Sequence, residues 1–206
     1  MKISLVDTGK KYYQDWIFRH ANISFQPGQK SVILGPNGSG KSTLLQVIAG
    51  YVMPNEGTIG YQLNGKAIST EEIFYYISFA SPYLELIEEF TLKEIVHLHF
   101  RFKSPVNKLT EQAIIDMSGL SEKSGQIFKY YSSGMKQRVK LALALYSDTP
   151  ILILDEPCSN LDKNGIDWYK KQIEEFTKNR IVIVASNQNQ SEYYFCDTEI
   201  SITDLR

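Results

Sequence analysis

The feature that most constrains the fold is a glycine-rich stretch at residues 35–42, with the sequence GPNGSGKS. The apolar run SVIL precedes it, and the amphipathic run STLLQVIAG continues from its last serine. A Gly-x-x-x-x-Gly-Lys-Ser pattern between a strand and a helix is typical of a loop that surrounds phosphate groups, whereas a chance glycine turn seldom has all these parts. The stretch therefore predicts a strand–loop–helix unit within an α/β fold.

The residue types of this stretch suit a phosphate chain and its metal ion. Glycines let the backbone curl so that several N–H groups face the phosphates, and the helix N-terminus adds about half a positive charge. Lys41 is expected to reach the β- and γ-phosphates, and the Ser42 hydroxyl to bind Mg²⁺. The predicted ligands are ATP and Mg²⁺, and the predicted binding residues are Gly35, Pro36, Asn37, Gly38, Ser39, Gly40, Lys41, Ser42 and Thr43.

Two acidic residues, Asp155 and Glu156, follow the apolar run ILIL. A buried parallel strand delivers such residues to the carboxyl edge of its sheet, where α/β folds bind ligands. Asp155 is expected to hold Mg²⁺, directly or through water, and Glu156 to act as general base on the attacking water. A strand that simply ends in solvated acidic residues is the alternative. The position of the pair behind a phosphate loop favours the catalytic interpretation.

Short β-branched runs alternate with segments of helical periodicity. The runs at 151–154 and 181–184 are apolar at every residue, which is typical of strands in a parallel sheet covered on both faces. Strands are predicted at 22–25, 31–34, 58–61, 77–80, 151–154 and 181–184, and helices at 41–49, 92–102, 110–117, 134–146 and 166–177. Because helices dominate the middle of the chain, the sequence predicts an α/β core interrupted by a helical subdomain.

Composition argues against several other classes of protein. The 206 residues carry a formal charge of −1, with Lys and Arg scattered, so no nucleic-acid partner is expected. The apolar runs are far shorter than the ~20 residues of a membrane span, and the N-terminus does not resemble a signal peptide. Cys158 and Cys196 lack metal-ligand spacing, and His97 and His99 are interpreted as structural residues of a helix. No metal beyond Mg²⁺ is therefore expected.

A further motif lies between the two nucleotide motifs. Residues 131–138, YSSGMKQR, resemble the signature loop of ABC (ATP-binding cassette) ATPases, usually Leu-Ser-Gly-Gly-Gln followed by Gln-Arg. Ser132 and Gly134 stand at the matching positions, whereas Tyr131 replaces the Leu and Met135 the terminal Gln. The resemblance implies that this loop caps the γ-phosphate held by the opposite subunit of a dimer. A plain Ser-Gly helix cap would not account for its place between the motifs.

The resemblance extends over essentially the whole chain. Residues 159–162, SNLD, look like the D-loop of the family, which crosses the dimer interface. Tyr12, or its neighbour Tyr13, stands where the family has an aromatic residue that stacks on adenine. The implied fold is a P-loop NTPase core with a mainly parallel sheet, an N-terminal antiparallel β subdomain and an inserted α-helical subdomain. Residues 1–206 would form a single cassette, with the insert at about 82–130 and the signature helix at about 132–147.

Two departures from the family pattern concern the γ-phosphate. The family normally has a Gln after the strand predicted at 77–80, where this chain has Ser81 or Pro82. It also normally has a switch His after the strand predicted at 181–184, where this chain has Asn187. Asn187 can donate an amide hydrogen bond to the γ-phosphate, but it carries no charge and does not titrate. We therefore expect slow hydrolysis that depends on Lys41 and Glu156.

The resemblance also implies partners and a location. A second cassette, most simply another copy in a homodimer, would complete each site, and a separate transmembrane permease subunit would hold the chain at the cytoplasmic face of the cell membrane. Short single cassettes such as the cytochrome-c-biogenesis (haem-export-type) ATPases are about this size, and the chain resembles them loosely. The alternatives are a soluble ATPase of the cofactor-assembly type and a degenerate ATP-binding subunit of a heteromeric pair. Residues 83–90 form either a groove for the permease or part of the subdomain core.

Overall fold

Nine strands and six α-helices make up the computed structural model, which describes residues 1–205. The strands are β1 (Lys2–Tyr12), β2 (Asp15–Phe25), β3 (Lys30–Leu34), β4 (Glu56–Leu63), β5 (Lys66–Ile68), β6 (Ile77–Ala80), β7 (Ile151–Asp155), β8 (Ile181–Ser186) and β9 (Thr198–Ser201). The helices are α1 (Lys41–Ile48), α2 (Leu92–Phe100), α3 (Glu111–Met117), α4 (Ser133–Leu145), α5 (Lys163–Phe176) and α6 (Gln190–Tyr193). Short 3₁₀ helices occur at Ile73–Tyr76, Val106–Lys108, Ser121–Lys123, Phe128–Tyr130 and Ile202–Leu205.

A five-stranded parallel sheet forms the centre of the molecule, with strand order β6-β7-β8-β3-β9. Every residue of β7 and β8 is buried. Strands covered on both faces need apolar side chains at every position, so the uninterrupted apolar runs in these two strands have a direct physical cause. The predicted mainly parallel α/β core is confirmed.

A second, antiparallel sheet has four strands in the order β2-β1-β4-β5. α1 packs against this sheet as well as against the parallel sheet. One core cluster contains Leu44 and Leu45 of α1 together with Ile3 and Phe25 of this sheet and Ile183 of the parallel sheet. α1 therefore lies between the two sheets. Its first turn, which follows the glycine-rich loop, is held on both sides.

The chain between β6 and β7 is mainly helical and contains α2, α3 and α4. α2 begins with a capping box, in which Thr91 and Glu94 each bond the other's backbone N–H. Ile95 of α2, Ile114 of α3 and Leu141 of α4 belong to one core cluster that also receives α5. No helix within residues 1–205 has both the length and the apolarity needed to cross a bilayer.

The two histidines of α2 have partners within the chain. His97 Nδ1 lies 2.9 Å from a carboxylate oxygen of Glu111, and His99 Nε2 lies 2.9 Å from the Ser147 hydroxyl. Burial lowers the pKa of His99 to about 4, so its ring is neutral near pH 7. These contacts agree with the structural interpretation of both residues.

The sequence prediction misses β1 and the first half of β2. The register between these strands shifts between Leu5 and Lys11, and Asp7 and His20 take positive φ angles of 47° and 54° at this irregularity. Such bulges break the period-2 pattern on which strand prediction depends. The prediction also starts α5 three residues late, because it does not identify Asp162 as a helix cap. The Asp162 carboxylate accepts the Gly165 N–H at 2.7 Å and caps the helix.

Arg180 connects α4 to the parallel sheet. Its guanidinium is buried and donates to the carbonyls of Leu145 at 2.9 Å and Ala144 at 3.3 Å, and to the Thr149 hydroxyl at 2.7 Å. Burial lowers the pKa of Arg180 to about 10, which leaves it charged near pH 7. The side chain thus satisfies carbonyls at the end of α4 that the helix itself leaves unpaired.

We predict that Arg180→Met lowers the free energy of unfolding by about 2–4 kcal/mol, because buried carbonyl and hydroxyl oxygens lose their donor. Urea unfolding followed by circular dichroism measures this. Lys178→Met, at an exposed residue of the same turn, is the matched control and should change the free energy by less than about 0.5 kcal/mol. Equal stability of the two variants would contradict this role of Arg180.

Candidate functional site

Three neighbouring strands carry the predicted site residues to one edge of the parallel sheet. β8 lies between β7 and β3, with Asp155 paired to Ala185 and Leu34 paired to Ser186. The three strands run parallel, so the segments that follow them emerge at the same edge. These segments are the acidic pair after β7, the loop after β8 and the glycine-rich loop after β3.

Lys41 lies at the start of α1 and is 4% exposed. Its Nζ donates to the carbonyl oxygens of Gly35 at 2.9 Å and Pro36 at 3.1 Å, so the side chain folds back across the glycine-rich loop. Gly40 has φ 103°, and a Cβ there would come within 2.3 Å of a methyl group of Ile17. Only glycine fits this close, left-handed turn.

Asp155 is the buried acid of the pair and is 1% exposed. The Ser81 hydroxyl donates to its Oδ2 at 3.2 Å, while Oδ1 accepts no hydrogen bond of normal geometry from residues 1–205. Burial raises the pKa of Asp155, and the hydroxyls of Ser42 and Ser81 act in the opposite direction. A buried carboxylate oxygen next to the Ser42 hydroxyl fits the hard, oxygen-preferring Mg²⁺ ion.

Glu156 turns out of the strand at a positive φ of 44°, and its N–H bonds the Ala185 carbonyl at 2.9 Å. This turn directs its carboxylate toward the glycine-rich loop, where Oε1 lies 4.0 Å from Lys41 Nζ. The Ser159 hydroxyl lies 3.5 Å from Oε2. Adjacent acids thus take different positions, with Asp155 buried and Glu156 partly accessible.

A cavity of about 410 Å³ joins these groups. Its lining residues come from the glycine-rich loop and from four other places in the chain, and they are Tyr12, Ile17, Asn37, Gly38, Ser39, Gly40, Lys41, Ser42, Thr43, Tyr83 and Glu156. Lys10 Nζ lies 5.2 Å from the centre of the Tyr12 ring. Of the two tyrosines considered for adenine stacking, Tyr12 lines the cavity, whereas Tyr13 is 97% exposed.

Ser132 and Gly134 line a second, separate cavity of about 320 Å³, together with Asn160, Leu161 and Asp162. Ser132 is the N-cap of α4, and its hydroxyl accepts the Met135 N–H at 3.3 Å. A Cβ at Gly134 would come within 2.7 Å of the Asn160 carbonyl oxygen. Within one chain, the structure thus brings the signature residues to the D-loop rather than to the glycine-rich loop.

Asn187 follows β8 at the site edge and is exposed. Asn187 does not line the cavity at the glycine-rich loop. It lies at the same edge of the sheet as that loop because β8, which precedes it, pairs with β3. Its neighbour Ser186 is buried.

Sequence reasoning did not assign Ile17 and Tyr83 to the nucleotide cavity. Both reach it through the fold: Ile17 from β2, in van der Waals proximity to Gly40, and Tyr83 from the turn after β6. Neither belongs to a motif, so no signal in the sequence marks them. Ser81, by contrast, stands close to the position of the absent Gln, and the structure gives it a direct bond to Asp155.

Comparison with known proteins shows the family to which the chain is similar. A sequence model described as "ABC transporter" matches residues 18–159. The chain is 34% identical over 176 residues to ABC transporter I family member 1 of Arabidopsis thaliana, covering 83% of this chain and 75% of that protein. It is 30% identical over 169 residues to the uncharacterized ABC transporter ATP-binding protein YcbN of Bacillus subtilis, covering 82% of this chain. The chain spans only 55% of the length of YcbN.

A solved structure shares the fold over the full length. The putative ABC transporter (ATP-binding protein) from Pyrococcus furiosus superposes with a TM-score of 0.81 at 24% identity, covering 100% of this chain and 99% of that one. The family match over residues 18–159 includes the glycine-rich loop, the signature loop and the acidic pair. The chain therefore belongs to the ABC transporter family, whose ATP-binding proteins are ATPases.

Proposed function

We propose that the chain is the ATP-hydrolysing subunit of a membrane transporter and works as a pair of cassettes. The observation that supports the pairing of cassettes is that two parts of the proposed site lie apart on one chain. Lys41 and Glu156 line one cavity, while Ser132 and Gly134 line another. A single chain cannot bring its own signature to its own phosphate loop, but two copies facing each other would complete two sites.

Residues at the phosphate cavity would have different roles in hydrolysis. Lys41 Nζ, held on the carbonyls of Gly35 and Pro36, would exchange these for β- and γ-phosphate oxygens. Ser42 and Asp155 would hold Mg²⁺, which when bound neutralises phosphate charge. Glu156 would accept a proton from water as that water adds to the γ-phosphorus and the bond to the bridging oxygen breaks, giving ADP and phosphate.

Asn187 would supply a neutral donor at the γ-phosphate, where family members normally have a switch His. A neutral amide stabilises developing negative charge less than a cationic donor does. Lys41, Asp155 and Glu156 are all present, so we expect turnover to be slow rather than absent.

The membrane partner would dock where the turn after β6 meets α4. A groove of about 690 Å³ lies there, and its lining includes Tyr83, Leu86, Glu88, Lys136 and Lys140. Glu88 bonds Lys136 at 2.6 Å, which lowers the pKa of Glu88. Residues 83–90 contribute partly to the core, since Leu86 packs on it while Tyr83 is 79% exposed. A separate permease in this groove would keep the chain at the cytoplasmic face of the membrane.

We predict that Glu156→Gln lowers kcat for ATP hydrolysis by about 100-fold or more while ATP binding persists, because the amide cannot accept the proton from water. Phosphate release measures kcat, and equilibrium binding of ATP with Mg²⁺ measures affinity. Glu175→Gln makes the same change at an exposed residue of α5 and should retain the parental rate. A parental rate in Glu156→Gln would disprove the assignment of the base.

We also predict that Asn187→His raises the rate and adds a titration near the ordinary His pKa of about 6.5. The gain should be largest below that pKa, where the imidazolium is charged, and should decline as the pH rises through it. The measurement is kcat from pH 5.5 to 8.5. Gln190→His, at another exposed residue of the same region, is the control. An unchanged rate and pH profile in Asn187→His would contradict the assignment of Asn187 as a donor to the γ-phosphate.

A further inference from the structure

A buried carboxylate, Glu192, lies next to the site but takes no part in the mechanism above. It belongs to α6 and is 3% exposed. Burial raises the pKa of Glu192, and the charges of Glu156 and Asp155 act in the same direction. Such burial is costly unless hydrogen bonds compensate it, so the bonds that this carboxylate makes indicate what it does.

The two oxygens of Glu192 bond two different loops of the site. Oε1 accepts the Cys158 N–H at 3.2 Å, and Oε2 accepts the Ser186 hydroxyl. Cys158 lies two residues after Glu156 and directly before the D-loop. Ser186 ends β8, directly before Asn187. The carboxylate thus bridges the segment after the general base to the segment before the amide donor.

The bridge continues on both sides through further contacts. The Ser186 hydroxyl also accepts the Asn189 N–H at 3.2 Å, so both ends of the loop that contains Asn187 are held. On the other side, the D-loop carbonyl of Asn160 closely approaches Gly134 at the start of α4. A continuous set of contacts therefore runs from the loop at Asn187 to the signature helix, with Glu192 between the two.

We propose that Glu192 is a positioning residue for ATP hydrolysis. Its carboxylate fixes the position of the D-loop relative to the loop that contains Asn187, and it does not touch ATP. This proposal rests on the function proposed above. Glu156 lies two residues before Cys158, which the bridge holds, so loss of the bridge should affect the chemical step more than the initial binding of ATP.

Three variants of Glu192 test the bridge. Glu192→Ala leaves the Cys158 N–H and the Ser186 hydroxyl without their acceptor. Glu192→Asp keeps the charge but shortens the side chain, so it cannot reach both loops. Glu192→Gln can keep both contacts, with its oxygen accepting from Cys158 and its amide donating to the Ser186 oxygen. Tyr169→Phe is the matched control, because it removes a buried hydroxyl that bonds the Glu192 carbonyl at 2.8 Å and leaves the carboxylate intact.

Hydrogen–deuterium exchange and steady-state kinetics on the full chain give independent readouts. In Glu192→Ala and Glu192→Asp we expect faster exchange in both 157–162 and 186–190, with kcat reduced about tenfold or more and KM within about threefold. Glu192→Gln should stay within about threefold of the parent in kcat. Tyr169→Phe should change the melting temperature without changing kcat.

Three results would overturn the proposal. They are faster exchange in only one of the two loops, unchanged exchange in both, and a kcat loss in Tyr169→Phe equal to that in Glu192→Ala. A parent chain without ATPase activity would instead refute the proposed function and the positioning role in hydrolysis. The exchange comparison would still decide whether the carboxylate joins the loops.

Discussion

Parallel hydrogen bonding among β7, β8 and β3 determines where three segments of the proposed nucleotide site lie. Because the three strands are adjacent and run in one direction, the acidic pair, the Asn187 segment and the phosphate loop leave the sheet at the same edge. β7 and β8 are buried at every residue and consist mainly of apolar side chains, as is typical of parallel strands covered on both faces. Burial of the strands therefore places the proposed catalytic groups, and the loops contribute their local geometry.

At the end of β7, the neighbouring residues Asp155 and Glu156 have different environments because their backbone conformations differ. Asp155 ends its strand and stays buried, whereas Glu156 turns at a positive φ and comes within 4.0 Å of Lys41 Nζ. The buried acid suits a metal ion, and the accessible acid suits proton transfer. The same turn starts the chain toward residues 159–162, so the geometry of the proposed base and that of the proposed dimer interface are linked.

The sequence predicts well what depends on local pattern. The phosphate loop and the two apolar strands at 151–154 and 181–184 follow from residue types at fixed spacing. The sequence does not predict contacts that depend on the fold, such as that of Ile17 with Gly40 or the bonds of Glu192 with Cys158 and Ser186. No sequence motif joins the residues of these pairs. Their proximity comes from the packing of β2 beside the glycine-rich loop and of α6 beside the ends of β7 and β8, which residue patterns do not determine uniquely.

The central claim is that each site is completed by the signature loop of a second copy, and the mass of the protein in solution tests it most directly. Light scattering should show a dimer for Glu156→Gln with ATP and Mg²⁺, and a monomer when Ser132→Asp is added. Aspartate keeps the N-cap of α4 but places a negative charge toward the partner's phosphate. A monomer at saturating ATP, or a dimer that Ser132→Asp leaves intact, would contradict the account.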